Sequence, residues 1–137
     1  MLISTVLLAA GGLVFVSAAV QHFNTIGSKG IAFVFTDRSS PLSREGFAGR
    51  AARTLQNNLE SAAMIVPAAV ILLVAKADSL IVIAASLIYV AARVGFTVSY
   101  WSGVNTARSF FWGVGMAMIA VLSINAAWSA AGGLDIP

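Results

Sequence analysis

Residues 80–100 read LIVIAASLIYVAARVGFTVSY, a run in which Arg93 is the single charge. A charge at membrane depth is costly, and an ionisable residue there marks a functional site once a partner can be named. Glu60 is the candidate partner. It stands at the start of another long apolar segment, residues 61–75, and is the only carboxylate placed to enter a bundle beside Arg93. Such a pair either fixes helix register as a structural ion pair or belongs directly to a site.

Working outward from that run, 59% of the 137 residues are hydrophobic, 9% are charged and the mean hydropathy is +0.92. A soluble chain so composed would lack the polar surface to cover itself, so this is an integral membrane protein. Four runs approach the roughly 20 residues a helix needs to cross the hydrocarbon core. They lie at about 1–22, 50–76, 79–102 and 107–134, with a loop at about 23–49. Continuous runs lack the alternation of barrel strands, so the expected fold class is all-α: one domain over 1–137, a four-transmembrane-helix bundle. The first run contains the cleavable-looking Ser17-Ala18-Ala19, but it has no basic n-region and is long for a signal peptide, so it reads as a retained span.

Charge asymmetry predicts the orientation. The first loop and the start of the second span carry Lys29, Arg38, Arg44, Arg50 and Arg53 against Asp37 and Glu45, whereas the 2–3 turn holds only Lys76 and Asp78. The positive-inside rule puts the 1–2 and 3–4 loops in the cytoplasm, Arg108 included, with both termini outside. The pI near 10.0 then reflects topology and contact with anionic membrane lipid, and no nucleic-acid partner is expected. There is no Cys, so a thiol must come from a ligand; with one His, His22, and no paired His/carboxylate motif, no protein-bound metal is expected. His22 reads as a dipole partner at the end of the first helix or as an interface residue, not as a base. Within the loop, Ile31–Phe35 is an apolar patch suited to the interface, and Ser43-Arg44-Glu45-Gly46 can begin the second helix.

Polar spacing carries the chemistry. Arg53, Asn57 and Glu60 fall at i, i+4 and i+7, with Gln56 beside them, and Arg93, Thr97 and Tyr100 repeat that spacing. Two polar stripes on lipid-buried helices must face each other or a wet cavity, either as packing glue or as a site. Near Asn105, Arg108 and Ser109 they would form a basic, hydroxyl-lined pocket for a small anion, because Arg grips a carboxylate bidentately. Gly11, Gly12, Gly113, Gly115 and Ala117 read as close-packing positions, Trp128 as an interfacial anchor, and Asn125 as an intramembrane polar group without an assigned partner.

The segment Arg53-Thr-Leu-Gln-Asn57-Asn-Leu-Glu60 resembles the second-helix signature of the MAPEG family, membrane-associated proteins in eicosanoid and glutathione metabolism. Ala92-Arg93-Val94, Tyr100, Thr106-Ala-Arg108-Ser109 and the aromatic Trp112 are similar to its third-helix and 3–4 turn signature, in the manner of a bacterial-type member. The resemblance implies a homotrimer in a bacterial inner membrane, with glutathione as cosubstrate between subunits. Arg53, Gln56, Asn57 and Glu60 would bind it from one subunit, and Arg93, Tyr100, Arg108 and Ser109 from the neighbour. Arg108 would stabilise the thiolate, Ser109 would donate a hydrogen bond to it, and Tyr100 is the alternative donor. The second substrate would be a hydrophobic small molecule, an apolar electrophile arriving through the lipid.

The chain departs from the family pattern at four points. Gln56 stands where many members have Arg, Phe96 where they have His, and Trp112 where they have Tyr; the Pro usual one turn after the Glu is absent, with Pro67 further on. These losses keep a second reading open, a non-catalytic lipid-binding or scaffold member of the same family.

Overall fold

Small and apolar residues recur every three or four positions through each span, and the helices they predict are present. The computed structural model describes residues 2–37 and 39–132; Met1, Arg38 and residues 133–137, which include a basic residue counted in the loop and the end of the fourth expected span, lie outside them. The helices are α1 (Leu2–Lys29), a one-turn α2 (Ile31–Val34), α3 (Gly46–Val74), α4 (Leu80–Ser102) and α5 (Asn105–Ala130). All except α2 are long and apolar enough to cross a membrane.

The ends differ from the hydropathy limits. α1 continues past residue 22 to Lys29 and α3 begins at Gly46, so most of the expected 23–49 loop is helical or confined to residues 30–45. Hydropathy sees only the part of a helix that sits in hydrocarbon. The polar extension persists because its hydroxyls bond to its own backbone: Thr25 Oγ1 donates to Gln21 O at 2.9 Å and Ser28 Oγ to Thr25 O at 3.2 Å. His22 is consequently inside α1, exposed, and not at its C-terminal end. In the loop, the Ser39 N–H donates to Asp37 Oδ1 at 3.1 Å, which holds the Asp37 carboxyl below the usual carboxylate range.

Tight turns close the other connections. Ser79 caps α4, its Oγ accepting from the Val82 N–H at 3.4 Å. Gly103 ends α4 in the left-handed region at φ 78°, and the Val104 N–H returns to Ser99 O at 2.9 Å. Lys76 takes the same left-handed conformation after α3, at φ 55°, without the freedom of glycine.

Around the bundle the order is α1, α3, α5, α4, with α3 and α4 also touching across the diagonal, while α1 and α5 do not meet. The buried stripes follow the 3.6-residue period: Ile3, Val6, Ala10 and Ser17 on α1; Thr54, Asn58, Ser61, Ile65, Ala68 and Leu72 on α3. Along the axis the interior divides in two. The half near the α3–α4 turn is apolar, built on Val6, Ile65, Leu72, Val82, Ile119 and Leu122. The half near the α1–α3 connection holds a buried polar layer of Ser17, Asn58, Ser61, Arg93 and Thr97.

Glycine spacing has a single clear use in the interior. A Cβ on Gly95 would lie 2.8 Å from the Phe111 ring, and one on Gly115 would lie 3.3 Å from Arg93 Cδ, so both let α4 and α5 close together. Around Gly11, Gly12 and Gly113 no described residue of another helix comes within 4 Å of such a Cβ, so they are not close-packing positions among the described residues. Asn125 is satisfied locally, its Nδ2 donating to Val121 O at 2.8 Å.

Candidate functional site

The polar layer is organised around Asn58. Its Oδ1 accepts from Arg93 Nη2 at 2.6 Å, and its Nδ2 donates to Ser17 Oγ at 2.8 Å and Thr97 Oγ1 at 3.2 Å. Arg93 Nη2 also donates to Asn57 O at 3.2 Å, and the guanidinium stacks on the Phe96 ring at 4.5 Å. The buried cation is therefore met by an amide oxygen, a carbonyl and an aromatic face. The expected Glu60–Arg93 pair is absent: Glu60 is exposed, with its Oε1 accepting from Gln56 Nε2 at 2.9 Å.

The reason is register. On α3 the stripe turned inward is Thr54, Asn58 and Ser61, one residue beyond Arg53, Asn57 and Glu60. Ser61 Oγ and Tyr89 OH share a hydrogen bond of 3.0 Å, and Thr54 Oγ1 donates to Arg50 O at 2.8 Å. One residue is about 100° of helix, enough to turn Glu60 out of the bundle. The sequence does not distinguish the two rows: Met64, Pro67 and Ile71 continue the Glu60 row with apolar residues just as Ile65, Ala68 and Leu72 continue the Asn58 row, and packing selects the inward one.

Tyr100 is the centre of the second cluster. Arg53 Nε donates to its OH at 3.1 Å, Arg108 lies 5.0 Å over its ring, and Phe96 meets it edge-on at 5.4 Å. Arg53 and Tyr100, which the family resemblance divides between two subunits, thus meet inside one chain. Arg108 sits in the first turn of α5, where the helix dipole is positive, so its charge is unfavourable there unless an electron-rich ring or an anion faces it. The Tyr100 ring supplies one such face.

An open cleft of ≈ 270 Å³ is lined by Asn57, Phe96, Tyr100, Arg108, Ser109 and Trp112. On the far side of Arg53 a second, of ≈ 280 Å³, is lined by Arg44, Gly49, Ala52, Arg53 and Gln56. Of the expected site residues, Asn57, Tyr100, Arg108 and Ser109 share one cleft, Arg53 and Gln56 share the other, and Arg53 bridges the two through Tyr100. Glu60 lines neither of these clefts, and Arg93 acts beneath them through Asn57 and Asn58.

Arg50 adds more than its charge to this end of the bundle. Its Nε donates to Trp101 O at 3.1 Å, at the carbonyl end of α4, and its guanidinium approaches the position of a Gly103 Cβ to 3.7 Å. It thereby ties α3 to the α4–α5 turn, just before the start of the helix that carries Arg108 and Ser109. Trp101 is half-buried, and its indole Nε1 is enclosed without a hydrogen-bond partner among the described residues.

Arg53 and Arg108 present two cations beside the hydroxyls of Tyr100 and Ser109, a donor set that fits a small molecule bearing carboxylates. The sequence profile of the MAPEG family matches residues 1–128 of the chain. Comparison with curated proteins and with solved structures gives no match.

Proposed function

The chain belongs to the MAPEG family, and from that premise we propose that it is a glutathione-dependent membrane transferase or peroxidase acting on an apolar electrophile. The family includes glutathione transferases and peroxidases as well as non-catalytic members. The observation that carries the catalytic reading is the placement of Arg108, Ser109 and Tyr100 around one cleft, with Arg53 bonded to the Tyr100 hydroxyl. Glutathione supplies the nucleophilic sulfur. Arg53 and Gln56 bind a carboxylate end of the peptide, and Asn57 offers its side-chain amide to the backbone. Arg108 lowers the free energy of the thiolate, and Ser109 Oγ donates to the sulfur; the thiol proton leaves to solvent. A new S–C bond forms at the electrophilic carbon as the bond to its leaving group, or the strained ring, opens and takes up a proton.

The same reading makes the site a shared one in a homotrimer. Each cleft is smaller than the roughly 300–1,000 Å³ of a typical ligand pocket, as expected of half-sites. Gln56 and Glu60 are exposed on α3, and Glu60 lies about 21 Å along the helix from Gly46, too deep for an ionised carboxylate to face lipid. A neighbouring copy would cover this face. In the expected orientation the site opens at the cytoplasmic side of a bacterial inner membrane.

Phe96 favours the second reading, a non-catalytic lipid-binding or scaffold role. It is 1% exposed and enclosed between Arg93 and Tyr100, so no polar group replaces the His of many relatives. Calorimetry on the detergent-purified protein separates the two. Saturable binding of glutathione, with plain cysteine not binding, is expected of the enzyme; no binding at millimolar concentration leaves the scaffold reading. Mass after subtraction of detergent should give three chains, and a monomer or dimer in several detergents refutes the shared site.

A further inference from the structure

α1 has 28 residues and α3 has 29, so each is about 42 Å long against a hydrocarbon layer of about 30 Å. Both overshoot at the end where they are joined. Gln21, Asn24, Ser28 and Lys29 close α1 there and Arg50 and Arg53 open α3, whereas the opposite ends carry Ile3 and Leu72–Val74. The joined end therefore stands at the depth of the lipid headgroups.

At this depth two clefts adjoin, sharing Gln21, Thr25 and Leu42. One, of ≈ 160 Å³, lies under α2; the other, of ≈ 90 Å³, runs against α3 and adds Asn24, Lys29 and Ser43. Among the described residues no carboxylate lines either. The hydroxyls of Thr25 and Ser28 are spent on backbone carbonyls, but the side-chain amides of Gln21 and Asn24 have no hydrogen-bond partner among the described residues. Ser43 Oγ accepts from the Glu45 N–H at 3.3 Å and keeps its own proton to donate. The one-turn α2, whose Val34 lines the first cleft, exposes apolar side chains beside it: Ile31 is 57% exposed and Phe35, at its C-terminal end, 84%. Side chains of that kind at headgroup depth belong against acyl chains, and the cation and free donors beside them complement an anion.

We propose that these clefts bind the phosphate headgroup of an anionic phospholipid. Lys29 supplies the charge, Gln21, Asn24 and Ser43 donate to the phosphate and glycerol oxygens, and Ile31 and Phe35 rest on the acyl chains. The site is separate from the Tyr100 cluster and does not depend on the activity proposed for it.

The test is native mass spectrometry of the full chain in detergent, titrated with phosphatidylglycerol or with phosphatidylcholine of the same acyl chains. Wild type should retain phosphatidylglycerol in preference, and Lys29→Gln should weaken that preference about fivefold. Lys29→Arg should keep the preference, as should Lys76→Gln at the opposite end of the bundle. Ile31→Ser with Phe35→Ser should weaken both lipids alike. Inorganic phosphate and glycerol phosphate at millimolar concentration should displace neither lipid. Equal retention of the two lipids, an unchanged preference in Lys29→Gln, or displacement of the lipid by free phosphate overturns the assignment.

Discussion

Replacing Asn58 by Leu keeps the volume at a buried position and removes the group that holds Arg93. Three hydrogen bonds go with it: the 2.6 Å bond from Arg93 and the bonds to Ser17 and Thr97. The bond to a charged group is worth about 1.5–3 kcal/mol, and the two neutral bonds about 0.6 kcal/mol each inside a membrane bundle. Arg93 retains Asn57 O and the Phe96 ring, which limits the loss. The expected destabilisation is therefore about 3 kcal/mol. Glu60→Gln removes a charge from an exposed position bonded to Gln56 and should cost under about 0.5 kcal/mol in the isolated chain. Reversible unfolding in mixed micelles, followed by circular dichroism, measures both. Asn58→Leu with Arg93→Leu should recover most of the loss, since the uncompensated cation has gone. A cost below about 1 kcal/mol for Asn58→Leu, or equal costs for Asn58→Leu and Glu60→Gln, refutes the reasoning.

Gly95→Ala should cost about 1–3 kcal/mol in the same unfolding assay, because its Cβ would strike the Phe111 ring, whereas Gly27→Ala, with open space around it, should gain up to about 1 kcal/mol. Lys76→Gly should stabilise by about 1 kcal/mol, relieving the left-handed strain after α3. On the proposed function, Arg108→Leu should raise the titration of bound glutathione's thiol, read by far-ultraviolet absorbance, by at least about one pKa unit, or 1.4 kcal/mol. Conjugation should fall in step at neutral pH and recover in part at higher pH. For Asp37, the depressed carboxyl makes the turn's stabilisation complete above its unfolded-state pKa and lost only as pH falls through the folded one. Hydrogen exchange at the Ser39 amide should accordingly stay protected through the ordinary carboxylate range and speed up below it.

What the sequence determined by itself was everything that depends on transfer from water to lipid. Uninterrupted runs without alternation specify four membrane-crossing helices, and the ordered set Arg53, Asn57, Glu60, Arg93, Tyr100 and Arg108 specifies the family. Those are sums over residues or fixed offsets, and neither needs to know which way a helix is turned. What only the tertiary structure decided was rotation and partnership. Arg53 and Asn58 are five positions apart on α3, yet one faces Tyr100 on the open side and the other grips Arg93 within. Sequence reading joined Arg93 to Glu60 because opposite charges attract over distance. The bundle joined Arg93 to Asn58 because a side chain can bond only what its own face of the helix presents, and that face was fixed by packing the apolar row of Ile65, Ala68 and Leu72 against α1, α4 and α5.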